Sequence, residues 1–146
     1  MKVLVLEDLP STAARTEKWF KKRGHDPTVR YTSAGVKDAL RGCEFDCYVI
    51  DLNAGAIGLT KEQAERSQSG LLTGWILLTE HILVHDQNAM RKTIVFSDFV
   101  SDLKEHINSR ASEQEKAWFS ALESNGTLVS KNDGYGALKS ALERVL

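Results

Sequence analysis

Residues 46–52 read DCYVIDL. The run is continuously apolar and too short for a helix, the pattern of a strand covered on both faces, and it stops at Asp51. The same form recurs along the chain. Residues 2–6 (KVLVL) stop at Glu7 and Asp8, residues 93–96 (TIVF) at Ser97, and residues 127–130 (TLVS) at Lys131. Residues 28–32 (TVRYT) are β-branched and aromatic, and predict one more strand. Helix-patterned segments lie between these runs. The first follows Pro10 and ends at Gly24; the second, capped by Ser33, carries Val36, Ala39 and Leu40 and ends at Gly42. A third covers about 71–84, with Leu72, Trp75, Ile76 and Leu83 on its apolar side. The stretch 99–123 reads as helix broken near 109–112. The last helix begins near Tyr135 and stacks Leu138, Ala141, Leu142, Val145 and Leu146 in one stripe. Five strands alternating with helices predict an α/β fold, a doubly wound parallel sheet covered on both faces. In such sheets ligands bind at the carboxyl ends of the strands.

A length of 146 residues fits one domain spanning 1–146. With 42% hydrophobic residues the chain can build a core, which excludes intrinsic disorder. Nineteen basic and 20 acidic residues give a net charge of −1, so no electrostatic pull toward nucleic acid or an anionic membrane is expected. The apolar run at the amino terminus ends at Glu7, too early for a signal peptide or a membrane span. Cys43 and Cys47 read as reduced thiols of a cytoplasmic protein.

The strand ends carry the chemistry. In a parallel sheet, Glu7, Asp8, Asp51, Ser97 and Lys131 converge on one shallow site. Three carboxylates there repel one another, and a hard divalent cation relieves the repulsion. Magnesium suits such a site because it binds through a few carboxylates, keeps waters and completes its shell with phosphate oxygens. Lys131 adds a mobile positive charge and Ser97 a hydroxyl donor, the set a phosphoryl group needs to neutralise its oxygens. Asp51 is the natural nucleophile, since a carboxylate can form an acyl phosphate.

At these residues the chain resembles the receiver domain of two-component response regulators. VLVLEDLPS is similar to that family's first strand and acidic pair, YVIDLN to its phosphoacceptor strand, TIVFS to its hydroxyl strand and TLVSK to its lysine strand. The resemblance implies a flavodoxin-like five-stranded parallel sheet of order 2-1-3-4-5. It implies Mg2+ held by Glu7, Asp8, Asp51 and the backbone carbonyl of Asn53. Asp51 would be the phosphoacceptor, Ser97 would bond a phosphoryl oxygen and Lys131 would pair with the phosphoryl group. The donor would be a phosphohistidine on a histidine kinase or phosphotransfer protein. Such a chain is a phosphoacceptor with self-catalysed transfer and autodephosphorylation rather than a conventional enzyme. With one helix after Lys131 and no effector domain expected, output would pass through a partner protein, and the chain would be a monomer or weak homodimer.

The chain also departs from the family pattern. The spacings from Asp51 to Ser97 and from Ser97 to Lys131 are long, which implies insertions at about 55–69 and within about 100–124. The first could form a lid, a partner contact or neither. Gly55 stands where the family usually has proline, Asp98 where it has a small residue, Leu128 where it has an aromatic, and Asn132 where it has a second proline. Asp98 could repel the phosphoryl group or point to solvent. These departures keep open a second reading, a pseudo-receiver that acts only as a protein-interaction module. A flavin or nucleotide binder fits less well, because LEDLPST occupies the place of a glycine-rich phosphate loop. His81 and His85 sit one helical turn apart with no third ligand evident. The run Lys21–Arg23 reads as a solvated helix end, the tryptophans as packing residues, and Trp118–Phe119 as an interface candidate if exposed.

Overall fold

The computed structural model describes residues 1–145. Five strands form one sheet: β1 (Lys2–Leu6), β2 (Asp26–Arg30), β3 (Cys47–Ile50), β4 (Thr93–Ser97) and β5 (Leu128–Ser130). They are all parallel and ordered β2-β1-β3-β4-β5, as the resemblance implied. Leu6 is in register with Ile50, and Ser97 with Ser130, so the strands end along one edge.

The continuous apolar runs are explained by two cores, because alternate residues of a strand point to opposite faces. Val3, Val5, Cys47, Val49, Ile94 and Phe96 pack on one face against α1 (Pro10–Lys22) and the carboxyl-terminal helix, α9 (Gly134–Val145). Leu4, Leu6, Tyr48, Ile50 and Val95 pack on the other face, against α2 (Ser33–Gly42), α4 (Thr73–Leu77), α7 (Val100–Ser109) and α8 (Glu113–Asn125). Three short helices complete the set: α3 (Lys61–Arg66), α5 (Leu83–His85) and α6 (Ala89–Lys92). The last helix buries Leu138, Ala141 and Leu142 as its stripe requires; Leu146 lies outside the described residues.

Several boundaries differ from the sequence reading. Strand β2 runs from Asp26 to Arg30 rather than over 28–32, and it contains Pro27. It lies at the sheet edge, where a residue without an N–H is tolerated. Thr32, not Ser33, caps α2: its hydroxyl accepts the Gly35 N–H at 3.1 Å. The helix expected over 71–84 starts at Thr73 and contains a π-helical turn, Leu78–Ile82, before α5. Leu78 and Ile82 are both buried within that turn. The break near 109–112 is real and separates α7 from α8, whose start is a reciprocal cap between Ser112 and Glu115. Phe119 is buried and Trp118 packs half-buried on the core, so that pair offers no exposed interface.

Candidate functional site

The sheet itself delivers the acids. Beyond the paired strands the backbone continues the ladder by one step: Glu7 N–H donates to Arg30 O and Asp51 N–H to Leu6 O, each at 3.0 Å. Glu7 and Asp51 are therefore held by sheet hydrogen bonds, and both are buried, with 3% and 4% of their surface exposed. Asp8 is half-buried beside them. One carboxylate oxygen from each of Glu7, Asp8 and Asp51 lies within 4.8 Å of the others. Among the described residues this is the one such cluster of three or more potential ligands.

Asp51 is bonded on both oxygens. Ser97 Oγ donates to Oδ1 at 2.7 Å, and Lys131 Nζ donates to Oδ2 at 2.9 Å. The serine oxygen accepts the N–H groups of Leu52 and Phe99, at 3.3 and 3.2 Å, so its own proton is directed at Asp51. Lys131 also pairs with Glu7 Oε2 at 2.5 Å, while Glu7 Oε1 accepts the Leu9 N–H. Lys131 projects from a 3-10 turn, Lys131–Asp133, that follows β5 directly.

The charges bear the marks of crowding. Burial, reinforced by the Asp51 charge and opposed by Lys131, pushes the Glu7 carboxyl up to about 7. Asp8 is raised as well, by burial and then by Asp51. Burial alone would depress the Lys131 ammonium, but its bond to Glu7 and the Asp51 charge outweigh that and raise it. One ammonium is thus shared between two buried carboxylates, and the third, Asp8, forms no ion pair among the described residues.

The sequence-derived residues Glu7, Asp8, Asp51, Ser97 and Lys131 are therefore brought together. Asn53 follows β3 and is half-buried. Asp98 is exposed and makes no hydrogen bond or ion pair among the described residues. Leu128 is half-buried against the core. The rings of His81 and His85 stand 5.1 Å apart, and no third ligand joins them among the described residues. Residues 55–69 are tied to α2 and to the π-helical turn: Lys37 Nζ donates to Gly58 O at 2.7 Å, and Arg66 forms a two-bonded pair with Glu80 at 2.6 and 2.8 Å. Two site residues escaped the sequence reading, Thr73 and Gly74. Thr73 Oγ1 donates to Gly55 O at 2.6 Å and Gly74 N–H to Leu52 O at 2.9 Å, on either side of Asn53. A glycine inside an apolar helical stripe was the available signal, because it marks a close approach of backbones.

This is the fold of response-regulator receiver domains. The chain superposes on the response regulator TrrA of Thermotoga maritima, solved in complex with Mg2+ and BeF, with a TM-score of 0.64 and 13% identity over 99% of this chain and 98% of that one. It matches the non-phosphorylated HemR receiver domain of Leptospira biflexa with a TM-score of 0.63 and 14% identity, over 99% and 92%. A CheY-like receiver domain from Methanospirillum hungatei gives 0.56 at 14% identity, over 99% and 94%. In sequence, the chain is 27% identical to the transcriptional regulatory protein TorR of Escherichia coli over 73 residues, 48% of this chain and 32% of TorR. The match thus spans about a third of that relative. No family model matches the chain. No helix among the described residues is long and apolar enough to cross a membrane.

Proposed function

We propose that the chain is a cytoplasmic receiver that accepts a phosphoryl group on Asp51 from the phosphohistidine of a histidine kinase or phosphotransfer protein, and signals by binding a partner. One observation carries the reading: a buried aspartate bonded at once by a serine hydroxyl and a lysine ammonium, inside a cluster of three carboxylates.

Two of the donors that hold Asp51 are those a phosphoryl group requires. In transfer, an Asp51 oxygen attacks phosphorus and the P–N bond to the donor imidazole breaks. The bonding pair leaves with the ring nitrogen, which is protonated, and Asp51 becomes an acyl phosphate. Ser97 and Lys131 release the carboxylate and turn to phosphoryl oxygens, so positive charge is in place where negative charge arrives. Glu7, Asp8, Asp51 and the Asn53 carbonyl would hold Mg2+; this all-oxygen, acid-rich donor set fits a hard cation. When bound, the ion offsets carboxylate repulsion and supplies charge for phosphate oxygens.

The deciding experiment incubates the protein with Mg2+ and acetyl phosphate, or with a phosphorylated histidine kinase, and follows intact mass. Gain of one base-labile, acid-stable phosphoryl group is expected. No gain from either donor, with the fold intact, refutes the phosphoacceptor reading. It would favour an interaction module that needs no phosphorylation, the reading to which Leu128, lacking the usual aromatic ring, points.

Mg2+ should also stabilise the protein. At a concentration 100 times Kd the gain is about 2.7 kcal/mol, a rise of roughly 5–10 °C in Tm. Asp8→Asn should remove most of that rise. The pH dependence has a definite sign. Glu7 titrates near 7 in the folded chain against an ordinary value of 4.5, so between these values the folded state binds the extra proton. Its contribution to stability in metal-free buffer is then full below 4.5 and lost as pH rises through about 7. Mg2+ binding competes with that proton and strengthens over the same interval. Melting curves across pH, with and without Mg2+, check both signs.

A further inference from the structure

We propose that residues 67–74 form a clamp that fixes the backbone of Asn53, with Thr73 as its positioning residue; the proposal rests on the Mg2+-dependent reading above. The loop from Leu52 to Gly55 carries the carbonyl assigned to the metal, and both of its ends are tied to the start of α4. Leu52 O accepts the Gly74 N–H at 2.9 Å, and Gly55 O accepts the Thr73 hydroxyl at 2.6 Å. Thr73 is wholly buried, so its hydroxyl has no solvent to bond instead.

The need for a clamp follows from Gly55. Its φ is +66°, whereas proline is locked near −65°, so this loop cannot take the rigid residue usual at that position. Rigidity has to come from outside the loop. Gly70 supplies part of it by packing on Gly55: a Cβ at position 70 would stand 3.0 Å from Gly55 Cα.

The chain reaches this contact through a costly turn. Gln68, Ser69 and Gly70 are consecutive left-handed residues, with φ of 54°, 61° and 92°, and the first two are not glycine. Such a conformation persists only where its surroundings dictate it. Buried Ser67 does so: its hydroxyl donates to Ala64 O at 2.6 Å and accepts the Gly70 N–H at 3.0 Å. Its carbonyl accepts the Leu72 N–H at 2.9 Å. Upstream, the Arg66–Glu80 pair fastens α3 to the π-helical turn. The strained turn sets Gly70 and Thr73 against Gly55, which is what its fixed geometry achieves.

Thr73→Val keeps the side-chain shape and removes the donor, whereas Thr73→Ser keeps the donor. Mg2+ alone is titrated calorimetrically into the full chain. Thr73→Val should weaken Mg2+ affinity about three- to tenfold, the value of one buried hydrogen bond, and Thr73→Ser should stay near wild type. In metal-free protein, Thr73→Val should speed hydrogen exchange at the Ala54 and Gly55 amides and leave the amides of β1 and β3 unchanged. Unaltered affinity in Thr73→Val, a serine variant as weak as valine, or exchange that rises throughout the chain would each overturn the proposal. Wild-type protein with no Asp8-dependent Mg2+ binding overturns the functional reading and the metal role assigned here. The exchange data then still report separately on whether Thr73 holds the loop.

Discussion

Asp51→Asn should take phosphoryl uptake from acetyl phosphate to background while the protein stays folded. An amide oxygen is too poor a nucleophile to displace the leaving group, so the loss is complete rather than graded. The fold should survive because asparagine keeps the backbone bond of position 51 to Leu6 O and an oxygen that accepts the Ser97 hydroxyl proton, while Lys131 keeps its pairing with Glu7. Removing the Asp51 charge also relieves Glu7 and Asp8, both of which it raises, so metal-free stability near neutral pH should not fall far. Lys131→Met makes the instructive contrast. It leaves the nucleophile intact but removes the cation that meets the incoming charge, so transfer should slow by about 100-fold or more without vanishing. Intact-mass kinetics distinguish the two. A persistent base-labile gain in Asp51→Asn would show that the phosphoryl group goes elsewhere, and would end the assignment of Asp51.

The strands and their chemical ends were legible in the sequence because both cores draw on them. A strand buried on both faces is dominated by apolar residues, so the polar residue that closes the apolar run marks the last rung of the strand or the one beyond it, and the site with it. Asp51 after Ile50 and Ser97 after Phe96 are read in this way. Strand β2 was misplaced by two residues because an edge strand is free of that constraint and its sequence is mixed. The π-helical turn was not legible, since an inserted residue alters the helical period without altering composition. The segment 55–69 could be recognised as long but not placed. Its course is set by Arg66 meeting Glu80 and by Lys37 meeting the Gly58 carbonyl, pairs far apart in sequence that no local pattern announces.

The same distinction explains why Gly74 was overlooked and why it matters. Gly74→Ala should be among the most damaging single substitutions in the chain. A Cβ at this position would lie 2.2 Å from Asp51 O, 2.8 Å from Ile50 Cγ2 and 2.9 Å from Asp51 C. The isoleucine methyl could rotate away, but the other two atoms are backbone of Asp51 itself. Relief therefore requires α4 to move off the sheet, in a core that already packs Trp75 and Leu78. Overpacking of this kind costs about 1–3 kcal/mol, and the rigid neighbour places this site at or beyond the upper end. Movement of α4 also withdraws the Gly74 N–H from Leu52 O and the Thr73 hydroxyl from Gly55 O, so the loss of stability comes with a displaced Asn53 loop. A fall in Tm of roughly 10 °C is expected, with weaker Mg2+ binding in whatever fraction stays folded. Gly136→Ala is the internal control. Gly136 is exposed in α9 and a Cβ there meets nothing within 4 Å, so the same substitution should stabilise by up to about 1 kcal/mol through helix propensity. Denaturant unfolding of both variants should show opposite signs, a loss for Gly74→Ala and a gain for Gly136→Ala. A Gly74→Ala protein as stable as wild type would mean that α4 does not sit against Asp51, and the positioning assigned to Thr73 would fail with it.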